Sequence, residues 1–187
     1  MPATPRIGIW NTWIFMSVFI LQMGVMFLLN KEASNRSHAI IKAKRTKFER
    51  VIAYIANFIW LMALIYSIFL PIKVEGSWFI IGLFIFIIGL LLLAAATYNF
   101  VTTPSEQLIT NGIYKFSRHP MYLATFFICL GSGISALSWL FIAMSIIIAI
   151  CFYQEAIIEE RYCLDRYADA YKEYMAKTPR LFGVPEE

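Results

Sequence analysis

The residues of this chain that are equipped for chemistry fall in two short clusters. Arg118-His119-Pro120 follows an Asn111-Gly112 turn and opens a long apolar run. Proline has no N–H to lose in a first helical turn. Arg118 and His119 therefore belong at a helix N-terminus, where unpaired N–H groups and the positive dipole end favour an anion. The second cluster is Glu155, Glu159 and Glu160, with Glu155 and Glu159 four residues apart and so on one helical face. An anion-binding corner beside a carboxylate corner suits a zwitterion such as an amino-acid head group, and a sulfonium would be welcomed by a carboxylate or a tyrosine face. Each feature taken singly also has a plainer use. Arg118 can snorkel to lipid phosphates, His119 can fill an interface, and Glu159 and Glu160 can form a solvated face.

The elements that must hold these clusters are those of an all-α integral membrane protein with a single domain. The chain has 187 residues, 60% apolar and only 15% charged, far from the soluble balance. Ile7–Leu29, Val51–Leu70 and Ser77–Thr97 carry no charge, and each is long enough to cross a bilayer. A fourth uncharged block, Met121–Gln154, has Gly131-Ser132-Gly133 and Ser135-Ala136-Leu137-Ser138 near its middle. It is too long for one crossing and reads as a tight hairpin. Its two short arms would just cross, or the hairpin would be re-entrant; the expectation is five transmembrane helices, the last two being the hairpin. Between the third and fourth blocks, the connector Tyr98–Tyr122 crowds polar groups against the bilayer, which is costly without a functional reason. After Gln154, apolar residues recur at helical spacing through Ile157, Leu164, Tyr167, Ala168, Tyr171, Tyr174 and Met175. This marks an amphipathic C-terminal helix ended by Pro179, and the connector and this helix together form the site. Its tyrosines, Tyr167, Tyr171 and Tyr174, read as an interfacial belt.

Charge sets the orientation. Of the 16 lysines and arginines, seven lie in Asn30–Arg50, two in the connector and five after Gln154, leaving Arg6 and Lys73 for the other side. The positive-inside rule places the N-terminus outside, with the C-terminus and both clusters cytoplasmic. The net charge of +4 thus follows from topology and does not call for nucleic acid. The basic first loop reads as headgroup attraction, with His38 solvated in it. Three cysteines without a CxxC pair signal neither a disulfide framework nor a metal site. The first block lacks a small-residue cleavage site and reads as a retained helix; the C-terminus carries no prenylation motif.

Four stretches together resemble a known family: Leu108-Ile109-Thr110-Asn111-Gly112-Ile113-Tyr114, Arg118-His119-Pro120-Met121-Tyr122, Glu159-Glu160, and Tyr171-Lys172-Glu173-Tyr174. The pattern, between Tyr98 and Phe182, is similar to that of the isoprenylcysteine carboxyl methyltransferases, above all their compact prokaryotic and archaeal members, and of the related phospholipid methyltransferases. The resemblance implies S-adenosylmethionine as cofactor, held without a Gly-rich Rossmann loop. Its pocket would fall on Glu106, Gln107, Leu108, Ile109, Tyr114, His119, Pro120, Met121, Tyr122 and Glu159. Arg118 and Glu159 match positions needed for activity. His119 and its helix N-terminus would take the cofactor carboxylate, Glu159 its ammonium or sulfonium, and Arg118 would orient the acceptor or complete the anion site. Residues 1–97 would supply three membrane helices and 98–187 the catalytic half.

The implied reaction is methyl transfer to the carboxylate of an isoprenylcysteine or a similar lipophilic acid, a small molecule or lipidated peptide arriving from the membrane. N-methylation of a phospholipid amine is the alternative, and a non-enzymatic scaffold binding headgroups is a third reading. One position departs from the pattern. The eukaryotic members carry an arginine one turn before the glutamate, thought to meet the substrate carboxylate, and this chain has Glu155 there. As a substrate-facing residue, Glu155 would repel a carboxylate and favour an amine or a neutral hydroxyl.

Overall fold

The computed structural model describes residues 4–29, 31–41 and 44–183, without the side chains of 25–27, 29 and 38–41. The expectation for His38 thus falls outside the described side chains. Among these residues the regular elements are all helices: α1 (Trp13–Leu29), α2 (Lys31–Ile41), α3 (Lys47–Phe69), α4 (Ser77–Thr102), a 3-10 turn at Gly112–Lys115, α5 (Pro120–Ser135), α6 (Trp139–Tyr167) and α7 (Asp169–Lys177). By length and composition α3, α4 and α6 can cross a membrane, while α1 and α5 are shorter apolar helices. α4 is apolar on every side: Phe84 and Leu91 stay exposed while Phe86 and Leu93 are buried. A helix of that kind is solvated by lipid on the faces its neighbours leave open. The architecture is that of an integral membrane protein.

Three boundaries differ from the sequence expectation, each for a local reason. α1 starts at Trp13, not at Ile7. Ahead of it the Asn11 amide donates to the carbonyls of Arg6 at 2.7 Å and Ile68 at 2.6 Å, and the Thr12 hydroxyl to Leu70 at 2.9 Å. These bonds tie the segment to the end of α3 in a non-helical path. The basic stretch after α1 is not a loop throughout, because it contains α2 and the first turn of α3. That turn is fixed by a capping box in which Thr46 and Glu49 satisfy each other's backbone N–H groups. The C-terminal amphipathic stretch is two helices, broken at Ala168, whose φ of 46° ends α6 before α7 begins.

The hairpin forms where small residues suggested it. Leu137 takes a positive φ of 52° at the bend, and the Ser138 hydroxyl accepts from the Phe141 N–H to cap α6. Three buried hydroxyls in α5 and α6 fold back onto their own helices, while that of Ser135 has no hydrogen-bond partner among the described residues. Thr125 donates to the Met121 carbonyl, Ser132 to Ile128 and Ser145 to Phe141, at 2.7–2.8 Å. None of these three is left open toward lipid.

Glycines bring α4 and α5 almost backbone to backbone in antiparallel register. A Cβ on Gly131 would stand 2.5 Å from the Phe86 nitrogen and 2.6 Å from the Gly82 oxygen; one on Gly89 would stand 2.8 Å from the Ile128 nitrogen. Close approach through small residues is the usual basis of helix association where lipid removes the hydrophobic driving force. α3 runs antiparallel to α6, with Tyr66 bonded to Ser138 at one end and Arg45 and Glu49 bonded to Glu155 and Arg161 at the other. The connector, α2, the start of α3 and the charged end of α6 therefore share one end of the bundle. Arg6 and Lys73 lie at the opposite end, beside Phe69 and Ser135.

Candidate active site

The connector is shaped by two devices. Gly112 adopts a φ of +57°, and a Cβ there would stand 2.2 Å from the Asn99 side chain. The Asn99 carboxamide oxygen accepts from the Ile113 N–H at 3.2 Å, pinning the 3-10 turn to the end of α4. This leaves Tyr114 buried. Pro120 then occupies the first turn of α5 with His119 as its N-cap.

The two sequence clusters meet at that cap. Glu160 is buried, and its Oε1 accepts from Arg118 Nε at 2.8 Å and stands 3.2 Å from His119 Nε2. Its Oε2 accepts from Arg180 Nε at 3.0 Å and Nη2 at 2.9 Å. Glu159 accepts from the Tyr122 hydroxyl at 2.5 Å and stands 3.2 Å from His119 Nδ1. His119 is thus bracketed by two carboxylates, one on each ring nitrogen. His119, Tyr122 and Phe152 form a ring stack with centroids 5.6 and 4.7 Å apart.

Burial pushes the His119 imidazole down, but hydrogen bonds and attraction from Glu159 and Glu160 outweigh it, so its pKa is raised. The folded-state value lies above the unfolded one. The stabilisation is therefore complete below about pH 6.5, the ordinary histidine value, and is lost as pH climbs through the raised value. Thermal unfolding of detergent-solubilised protein should show a midpoint that falls over that rising range, and falls less in His119→Asn. A pH-independent difference between the two proteins would contradict this.

The C-terminal segment closes the site. Arg118 Nη1 donates to the carbonyls of Met175 at 3.1 Å and Thr178 at 2.6 Å, and the N–H groups of Arg118 and His119 donate to Pro179 and Arg180 at 2.9 and 3.1 Å. From α7 the buried Tyr174 hydroxyl donates to the Tyr114 carbonyl at 2.6 Å. Tyr174→Phe strands that carbonyl in a buried setting and is expected to cost about 1–3 kcal/mol, read as a lower unfolding midpoint.

These elements surround a cavity of about 290 Å³, at the lower end of the range for small-molecule sites. Of the residues expected to hold a cofactor, Gln107, Leu108, Ile109, Tyr114, His119, Met121, Tyr122 and Glu159 line it, as does Arg118. Glu106 does not line it; it stands out in solvent, 85% exposed, and pairs with Arg166 at 2.9 Å. Pro120 is buried in the α5 cap behind the wall. Glu155 is also off the cavity. Both its oxygens are held by Arg45 at 2.7 Å, so it is not the lone repelling acid that the sequence suggested. Arg118, expected to meet acceptor or anion, turns its guanidinium to Glu160 and two carbonyls. Tyr171 and Tyr174, read as an interfacial belt, are buried cavity walls.

Several wall residues carry no site reading in the sequence, where Tyr167 reads as part of the interfacial belt. Tyr162, Cys163, Arg166 and Tyr167 line the cavity and stand three, four, seven and eight positions after Glu159. That is one face of α6, a spacing visible in the sequence. Met23 and Arg36 also line it, but they arrive from α1 and α2, and no local pattern announces them.

Comparison with known proteins gives the family. A family model described as phospholipid methyltransferase matches residues 76–170, from the N-cap of α4 to the start of α7. Over 91 residues the chain is 31% identical to a protein-S-isoprenylcysteine O-methyltransferase of Saccharomyces cerevisiae, covering 46% of this chain and 37% of that protein. It is 32% identical over 79 residues to a protein of the same description from Schizosaccharomyces pombe, covering 42% of this chain and 33% of that one. The aligned stretch is thus about a third of the length of these curated relatives. The family match takes in more than half of the chain, including α4, the connector, the hairpin and both glutamates, and the protein belongs to the phospholipid methyltransferase family.

Proposed function

We propose that this protein is an integral membrane methyltransferase that uses S-adenosylmethionine to methylate the carboxylate of an isoprenylcysteine or a similar lipophilic acid. The observation that carries the reading is the junction of connector and α6 at one cavity, where Glu159, Tyr122 and His119 form a hydrogen-bonded wall. Two features of the cavity suit the cofactor. Its lining is largely apolar and aromatic, which suits an adenosine. It also carries a carboxylate, Glu159, and a cation, Arg36, with which an amino-acid head group can pair. S-adenosylmethionine, when bound, supplies a methyl group activated by a sulfonium.

The chain's own residues would then position and desolvate. Glu159 keeps about a quarter of its side chain exposed and offers its carboxylate to the ammonium or sulfonium. His119 and Tyr122 hold that carboxylate in place. Arg118 and Glu160 act behind them, fastening the α5 cap to the segment that follows α7, whose Tyr171 and Tyr174 wall the cavity, and so are positioning residues. A carboxylate acceptor is already ionised at neutral pH, so no general base is required. Catalysis then rests on alignment of the reacting atoms and exclusion of water. In this reading the chain is one domain with five membrane helices, its N-terminus outside and its site at the cytoplasmic face. The acceptor's lipid tail enters sideways between helices.

Phospholipid amine methylation is the second reading, favoured by the family description. The Arg45–Glu155 pair weighs against it, since it removes the unpaired acid that would have selected an amine. Two measurements decide. Calorimetric titration of the solubilised protein with S-adenosylhomocysteine should show saturable binding that Glu159→Ala abolishes; absence of binding to the wild type would leave only a headgroup-binding scaffold. With methyl-labelled donor and membranes, label released by mild base marks an ester, and base-stable label marks an amine.

A further inference from the structure

Arg36 comes from α2, outside the residues shared with the family, in a segment whose sequence reads as headgroup-facing. The structure turns it inward. Arg36 is 9% exposed, its guanidinium lies 5.3 Å over the Phe100 ring, and it lines the cavity. Nη1 donates to the Phe100 carbonyl at 3.4 Å, and Nη2 to Thr103 at 3.2 Å and to Pro104. These are the carbonyls at the end of α4, the negative end of its dipole. The third donor, Nε, has no hydrogen-bond partner among the described residues. A buried charged donor left open is a standing penalty that an anion relieves.

The cavity's carboxylate is Glu159. Burial pushes the Tyr114 phenol up, Glu159 adds to that and Arg36 opposes it, so both charges lie within electrostatic reach of one ring. Arg118 and Arg166 also line the cavity, but Arg118 is turned to Glu160 and two carbonyls and Arg166 to Tyr162, Glu106 and the Ser105 carbonyl. Arg36 and Glu159 are thus the cation and carboxylate that match a zwitterionic head group. His119 cannot supply the cation for a ligand, because both its ring nitrogens face glutamates.

We propose that Arg36 Nε receives the α-carboxylate of the methyl donor's amino-acid head group while Glu159 receives its ammonium, which makes Arg36 a specificity-determining residue. This rests on the methyl-transfer reading and deepens it. The test compares calorimetric binding of S-adenosylmethionine and of its decarboxylated analogue, which keeps the ammonium and lacks only the carboxylate. Wild-type protein should prefer the intact donor by about 10- to 100-fold, the worth of one hydrogen bond to a charged group. In Arg36→Met that preference should vanish while affinity for the analogue stays. Arg36→Lys should keep part of it, since lysine offers charge without the fixed fork.

A preference that survives in Arg36→Met overturns the proposal, as does a wild type that binds both ligands equally; either result leaves Arg36 only its part in capping α4. If Arg36→Met binds neither ligand because it does not fold, the Arg36→Lys ratio decides, and an unchanged ratio there overturns the proposal too. A wild type that binds neither ligand brings down the methyl-transfer reading itself.

Discussion

Glu160→Ala is expected to destabilise the protein by about 3–5 kcal/mol, the cost of removing one partner from a buried ionic group. The carboxylate is 3% exposed and is shared by Arg118, His119 and Arg180. Alanine would leave the buried Arg118 and His119 facing the half-buried Arg180 with the shared carboxylate gone. The loss should not be uniform along the chain. Arg118 and Arg180 tie the α5 cap to the segment after α7, so that segment should open first. We expect a lower unfolding midpoint in detergent together with faster proteolysis around Thr178–Gly183. Glu160→Gln, which keeps the shape and one acceptor oxygen, should fall in between. A Glu160→Ala protein within about 1 kcal/mol of wild type would place the cluster among exposed ion pairs and refute the buried-hub account.

Gly131→Ala is the second large effect. The added methyl meets backbone atoms of α4 at 2.5 and 2.6 Å, and backbone on both sides cannot rotate away as a side chain would. The helices must separate, breaking the α4–α5 seam that carries the connector at its far end. Overpacking typically costs 1–3 kcal/mol, and the upper part of that range, about 3 kcal/mol, is expected here. Gly24 on α1 is the internal control, since a Cβ there meets nothing within 4 Å. Gly24→Ala should keep the wild-type midpoint, and equal behaviour of the two variants would show that the seam does not need glycine. Because the seam positions Asn99 against Gly112, Gly131→Ala should also weaken S-adenosylhomocysteine binding without touching a ligand-facing residue.

These two sites differ in how far the sequence announces them. Gly131-Ser132-Gly133 was legible as a hairpin signal, because glycine and serine punctuate an apolar run by local backbone preference alone. Its closer function, letting α4 within backbone distance of α5, depends on Gly82 and Gly89, more than forty residues earlier. Glu160 is legible as one half of the Glu159-Glu160 pair, whose other half is the one that matches the family position needed for activity. Which of two adjacent glutamates faces a cavity and which faces a cation cluster is set by the rotation of α6 against α5 and α7. No composition or spacing encodes that rotation.

What the sequence determined by itself was whatever one helix's worth of residues can express. The uncharged blocks, the proline-opened helix after Arg118-His119, the Asn-Gly turn before Tyr114 and the lopsided distribution of lysine and arginine all follow from local chemistry repeated over a few turns. What only the tertiary structure decided was pairing across long separations. Arg45 neutralises Glu155 across 110 residues, and Arg36 reaches the end of α4 across more than 60. The tyrosines of α7 turn inward onto the connector and away from an interface. The reason is physical: a long charged side chain in a basic segment is satisfied equally well by lipid phosphates or by a buried partner. The choice between them is made by which helices pack together.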